Sequence, residues 1–175
     1  MDIPDGVFKL GPDTATLAVR TGRTGAAAKA GHNLLLHVTT WEATLTVAGG
    51  TASITLEADG SSLVVIEGTG GMQSLGDDDR ASIKQTIDDE VLRCAPIAFR
   101  STAASASASG LAVEGELTIG TTPRPIAFTV MLVDGSIAAS ATLRQTDFGI
   151  KPYSTLFGAL KVVDEVEVSI AGSTA

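Results

Sequence analysis

The chain has 175 residues, enough to bury a core and most simply one domain spanning 1–175. Twelve Lys and Arg against 20 Asp and Glu leave a net charge of −8 and a pI near 4.6, so binding to nucleic-acid phosphates would work against the protein's own field. No stretch approaches the roughly 18 apolar residues of a membrane-spanning helix, and the lone Cys94 excludes an intrachain disulfide. Met1-Asp-Ile-Pro-Asp-Gly6 has no basic or apolar leader region. The expected compartment is cytoplasmic, or periplasmic or secreted if a leader has been trimmed away.

Ala15, Leu17 and Val19 alternate with Thr14, Thr16 and Ala18, the period of a strand with one buried face. Thr21–Gly31 breaks the pattern with small residues and reads as a loop. Lys29 follows glycines, but the phosphate-cradling spacing Gly-x-x-x-x-Gly-Lys is absent and Ala30 stands where a hydroxyl is needed. Leu34, Leu36 and Val38 form the next apolar parity, and Trp41, Ala43, Leu45 and Val47 the one after. Ala48-Gly49-Gly50 turns the chain into Ala52, Ile54, Leu56 and Ala58. Asp59-Gly60 is read as another hairpin turn, into Leu63–Ile66.

The one convincing helix runs from about Asp77 to about Arg93. Ile83, Ile87 and Val91 recur four apart, Lys84 precedes Asp88 at i,i+4, and Asp77, Asp78 and Asp79 sit where the macrodipole favours negative charge. A single helix among some ten strands cannot cover a sheet, so it belongs across one end or one seam of a barrel. Thr102–Ser109 joins two strands, as a strand extension or a hairpin tip.

From Leu111 to Ile150 the chain reads as an antiparallel meander. Leu111, Val113, Leu117 and Ile119 share one parity, then Ile126, Phe128, Val130 and Leu132, then Ile137, Ala139, Ala141 and Leu143. Asp134-Gly135 is a two-residue hairpin signal, since a type I′ turn needs positive φ at both central positions. Lys151–Leu160 has room for one short helical turn, and Val166, Val168 and Ile170 supply a closing strand.

Gly115-Glu-Leu-Thr-Ile119, Thr122-Pro-Arg-Pro125, Arg144-x-x-Asp147-Phe-Gly-Ile150 and Asp164-Glu-Val-x-Val168 together closely resemble the YceI-like proteins. Pro96-Ile-Ala-Phe-Arg-Ser101 and the stretch Phe8–Arg20 fit the same pattern, so the resemblance covers nearly the whole chain. It implies an all-β fold, an extended eight-stranded antiparallel lipocalin-like barrel holding a long apolar molecule without catalysis, a polyisoprenoid in the best-known members. The chain departs from the family where Asp79-Arg80 opens a longer helix, and where Lys151-Pro152-Tyr153 replaces the Trp common after Asp-Phe-Gly.

Little here supports metal or acid–base chemistry. His32 and His37 lie an odd number of residues apart, so on one strand their rings point to opposite faces, and no metal site is expected. Glu114 with Glu116, and Glu165 with Glu167, occupy the parity opposite the apolar residues, where nothing desolvates a carboxylate. No nucleophile elbow of the form Gly-x-Ser-x-Gly exists.

A binding barrel is better supported, because only five Phe, one Trp and one Tyr are available and several apolar parities are completed by alanine. The expected lining is Leu34, Leu36, Trp41, Phe99, Phe128, Val130, Ala139, Ala141, Leu143, Phe148 and Phe157, with Arg20 and His32 for a ligand head group. The apolar parities run far enough to enclose a space on the order of 20–30 Å long at about 3.3 Å per residue. The expected partner is a long-chain polyprenyl, quinone or acyl molecule, with no cofactor, in a monomer or homodimer. The competing readings are a protein-interaction barrel with a filled core and a carboxylate-dependent hydrolase.

Overall fold

The computed structural model describes residues 4–173; Met1 to Ile3, read above as part of a leaderless start, lie outside the described residues. The strands are β1 (Gly6–Leu10), β2 (Ala15–Thr21), β3 (Arg23–Thr24), β4 (Asn33–Val38), β5 (Trp41–Ala48), β6 (Thr51–Asp59) and β7 (Leu63–Thr69), followed by helix α1 (Asp77–Thr86). Then come β8 (Pro96–Ser107), β9 (Gly110–Ile119), β10 (Thr122–Val133), β11 (Ser136–Arg144), β12 (Ser154–Thr155), β13 (Leu160–Val162) and β14 (Glu165–Ser173).

Eleven strands form one antiparallel sheet in the order β1-β5-β6-β8-β9-β10-β11-β14-β2-β4-β7, while β12, β13 and β3 make a small second sheet. The expected count of eight is recovered once bends are recognised. β4 and β5 are one ribbon broken at Thr39-Thr40, β6 and β7 one ribbon broken at Gly60–Ser62, and β1 and β2 run in turn along that first ribbon. Because β1 pairs with β5 and β7 pairs with β4, both ends of the sheet order return to the same ribbon, and the sheet curls onto itself.

The corner between these ribbons explains why Asp59-Gly60 is not the hairpin turn expected. β6 pairs with β5 and β7 with β4, so the chain bends at Gly60 instead of reversing. A Cβ on Gly60 would fall on the Ala95 carbonyl oxygen, which leaves glycine as the residue that fits. Buried Ser62 stitches the bends together: its hydroxyl donates to the Asp59 carbonyl oxygen (2.8 Å) and accepts from the Thr40 N–H (3.0 Å). Thr39 N–H and Oγ1 both donate to the Ser62 carbonyl oxygen (3.1 and 2.9 Å). The inward parity also switches here, with Val38 and Trp41 both buried across two exposed threonines.

The true hairpins follow their turn chemistry. Asp134 and Gly135 both have positive φ (47° and 76°), as do Gly49 and Gly50 (57° and 79°), the signature of the primed turns that match strand twist. Thr102–Ser107 continues β8, and Ser107–Gly110 makes the tip of its hairpin with β9.

The helix starts with the Gly76 N–H donating to Asp79 Oδ2 (2.8 Å), and its last turn from Ile87 to Val91 widens into π geometry. There the Leu92 N–H reaches the Ile87 carbonyl oxygen (2.9 Å). Left-handed Arg93 and Cys94 end it (φ 54° and 55°). α1 packs beside β7, which among the described residues has no ladder partner on its far edge, and so occupies a seam of the curled sheet as expected. Lys84 fastens it there: Nζ donates to the Ser61 carbonyl oxygen (2.7 Å) and pairs with Asp88 (2.8 Å).

Candidate functional site: an apolar cavity inside the curled sheet

The inward residues do not fill the interior. Leu34, Phe128, Ala139, Ala141, Leu143, Val168 and Ile170 lie on inward parities yet are only partly buried, because their inner surfaces face open space. That space is a cavity of about 540 Å³, within the range of small-molecule sites. Phe99 and Phe128 tilt against each other across part of it, with centroids 5.3 Å apart at 56°. Gly115 takes an inward position on β9, where a Cβ would strike the Phe99 ring. The filled-core barrel therefore does not describe this interior.

Among the described residues, no Asp, Glu, Lys, Arg or His borders the cavity. Leu34, Leu36, Phe99, Phe128, Val130, Ala139, Ala141, Leu143 and Phe148 do, as expected from parity. The helix adds Ile83, Ile87, Val91 and Leu92, so the face that docks α1 is also wall. Ile126, Gln145, Tyr153 and Val166 also border it and were not among the expected lining residues. Gln145 was findable, since it continues the inward parity of Ile137, Ala139, Ala141 and Leu143.

Four expected site residues lie elsewhere. Trp41 is buried (6 % exposed) in the core at the start of β5 and is not among the residues that border the cavity. Phe157 is fully exposed, at the tip of the β12–β13 hairpin. Arg20 sits on the wet parity of β2 and projects from the outer face, where Nη1 meets Glu167 Oε1 (3.6 Å) and Ser169 Oγ (3.3 Å). His32 Nε2 is held by the Gln73 carbonyl oxygen (2.6 Å) and is not among the lining residues.

Gln145 is fixed by the two motif stretches meeting. The Gln145 N–H donates to the Asp164 carbonyl oxygen (2.9 Å) and its Nε2 to the Val163 carbonyl oxygen (3.0 Å). The Thr146 N–H and hydroxyl each donate to the Asp164 carboxylate (2.9 and 2.6 Å), with Arg144 Nε 3.6 Å from it. These bonds, the Thr146 hydroxyl foremost, hold the Asp164 carboxyl below its ordinary value of 3.8.

A carboxylate with a lowered folded pKa stabilises the fold above its unfolded value, and the contribution is lost as pH falls through the folded one. Thr146→Val should raise the Asp164 pKa toward its ordinary value in a carboxyl NMR titration. It should also lower stability at neutral pH more than at strongly acidic pH. Equal losses at both would remove the Thr146–Asp164 bond as the cause.

The paired carboxylates face solvent, away from the cavity: Glu114, Glu116, Glu165 and Glu167 are all exposed. Among the described residues no group of three or more His, Cys, Asp or Glu is placed to hold a metal ion. Replacing Glu114 and Glu116 together by Gln should leave the melting temperature and probe binding within error of wild type, since exposed substitutions usually change stability by no more than about 0.5 kcal/mol. Loss of a measurable hydrolytic reaction in that variant would restore the hydrolase reading.

A YceI-like domain profile matches residues 37–173, well over half of the chain. The chain belongs to the YceI-like family. The YceI-like fold is also seen in the crystal structure of Burkholderia cenocepacia BcnA, which is 14% identical and superposes with a TM-score of 0.60 over 90% of this chain and 94% of that one. No curated protein matches the sequence. YceI-like proteins are known as polyisoprenoid-binding barrels, and here a curled antiparallel sheet surrounds an apolar cavity.

Proposed function

We propose that this protein binds, and so carries or sequesters, a long apolar molecule inside the curled sheet: a polyprenyl chain, a quinone side chain or a fatty acyl chain. The observation that carries the reading is the cavity of about 540 Å³, bordered by no charged residue among those described. An apolar chain entering it trades water for apolar wall, at roughly 25 cal/mol per Å² of surface buried. A carboxylate or phosphate drawn into the same space would lose its hydration without gaining a counter-charge. The body of the ligand is therefore uncharged, and any charged end stays at the mouth. Leu36, Phe99, Phe128, Ala139 and Leu143 form the walls, and the Gln145 amide and Tyr153 hydroxyl are among the polar groups toward which a neutral head group would turn.

Organic extraction of the purified protein followed by mass spectrometry tests this. The expected result is a stoichiometric lipid with a long uncharged apolar chain. Extracts holding none, together with no saturable binding of polyprenyl or acyl probes, would overturn it.

A further inference from the structure

The β12–β13 hairpin grips the cavity at its base and offers an apolar tip to solvent. At the base Tyr153 borders the cavity while remaining 38 % exposed, so it stands at an opening. The Val162 N–H, also at the border, donates to the Tyr153 carbonyl oxygen (2.9 Å). At the tip Leu156, Phe157 and Gly158 are consecutively left-handed, with φ of 54°, 55° and 84°. Two side-chain-bearing residues in that region are strained, and the strain turns Leu156 (53 % exposed) and Phe157 outward, away from any core.

The two stretches that build this tip and its support differ in charge from the rest of the sequence. Residues 148–163 contain Lys151 and Lys161 and no Asp or Glu, and residues 14–41, whose Ala27 N–H bonds the Ala159 carbonyl oxygen (2.8 Å), add Arg20, Arg23 and Lys29, again with no acid. Arg20 is paired with Glu167 on the outer face and Arg23 is engaged by the Gly31 carbonyl oxygen, while Lys29, Lys151 and Lys161 are exposed. In a chain of net charge −8, a basic collar around a protruding Leu-Phe tip beside an apolar cavity is the pattern of a peripheral membrane anchor, in which side chains bury in the acyl boundary while lysines meet anionic head groups.

We propose that the Leu156-Phe157 tip, with Lys29, Lys151 and Lys161, docks this protein on an anionic lipid bilayer, holding the cavity mouth at Tyr153 against the surface from which its ligand is taken. The docking stands on the tip and its charges; the transfer role rests on the ligand-binding function proposed above.

The test is co-sedimentation of the full chain with vesicles of phosphatidylcholine mixed with phosphatidylglycerol, against vesicles of phosphatidylcholine alone. Wild type should sediment with the mixed vesicles, and high salt should release most of it. The double variant Leu156→Ser, Phe157→Ser should lose at least about tenfold in partitioning, the order expected when an exposed Phe no longer buries its surface. The triple variant Lys29→Gln, Lys151→Gln, Lys161→Gln should bind mixed and neutral vesicles alike.

Titration of a fluorescent acyl probe without vesicles separates the two proposals. The serine variant should bind the probe as wild type does, yet acquire it more slowly from mixed vesicles. If wild type sediments but binds no probe, docking stands and the ligand reading fails. Absence of sedimentation by wild type, or unchanged sedimentation of the serine variant, overturns docking. Self-association that is abolished by Phe157→Ser and unaffected by lipid would also overturn it, assigning the tip to a second copy of the chain.

Discussion

Phenylalanine at position 139 or 141 should abolish uptake of a long-chain ligand while leaving the fold in place. Ala139 lies opposite Val130 on one side and Ile170 on the other, and Ala141 opposite Val168; all five border the cavity. A benzyl group at either position projects into open space, so the usual overpacking cost of roughly 1–3 kcal/mol should be largely avoided. The ligand loses the same space. Titration with a fluorescent acyl or polyprenyl probe should show at least about tenfold weaker binding, equivalent to about 1.4 kcal/mol. Thr142→Phe, on the exposed parity next to Ala141, should bind as wild type. If both inward variants bind normally, the ligand lies elsewhere.

A larger stability effect is expected at the helix. Ile87→Asp removes apolar contact from the wall and places a carboxylate against a cavity with no cation on its border. Ile87 is partly buried, so the cost should sit near the lower end of the range for interior charges, about 2 kcal/mol, lowering the melting temperature of a chain this size by about 4–8 °C. Probe affinity should fall with it. An unchanged melting temperature would mean that α1 contributes nothing to closing the seam.

Much of this was legible in the residues because strand geometry leaves a period of two. The alternation from Leu111 to Leu143 located β9 to β11 and their inner faces, and the four-residue spacing of Ile83, Ile87 and Val91 located both the helix and its cavity-facing stripe. What escaped had no period to fix it. Phe157 lies in an irregular turn, where an aromatic reads as core until φ shows the backbone turning it outward. Arg20 is a different kind of miss: its even position beside Leu17 and Val19 already placed it on the wet face, and its charge was given more weight than its parity. The bend at Gly60 was hidden because the carbonyl it accommodates belongs to Ala95, 35 positions away in sequence.

The seam filled by α1 sets how the protein fluctuates. Between paired strands, separating neighbours means breaking a ladder of backbone hydrogen bonds, whereas β7, one of the two terminal strands in the sheet order, presents its far edge to a helix whose own backbone bonds are internal. Lifting α1 away disrupts side-chain packing and the Lys84 contact with Ser61 but breaks no rung of the sheet. Hydrogen exchange should therefore find the α1 segment opening with much less protection than β9 or β10, as a separate cooperative unit. Such an opening would expose the cavity sideways, giving a chain-like guest a lateral exit as well as the route past Tyr153.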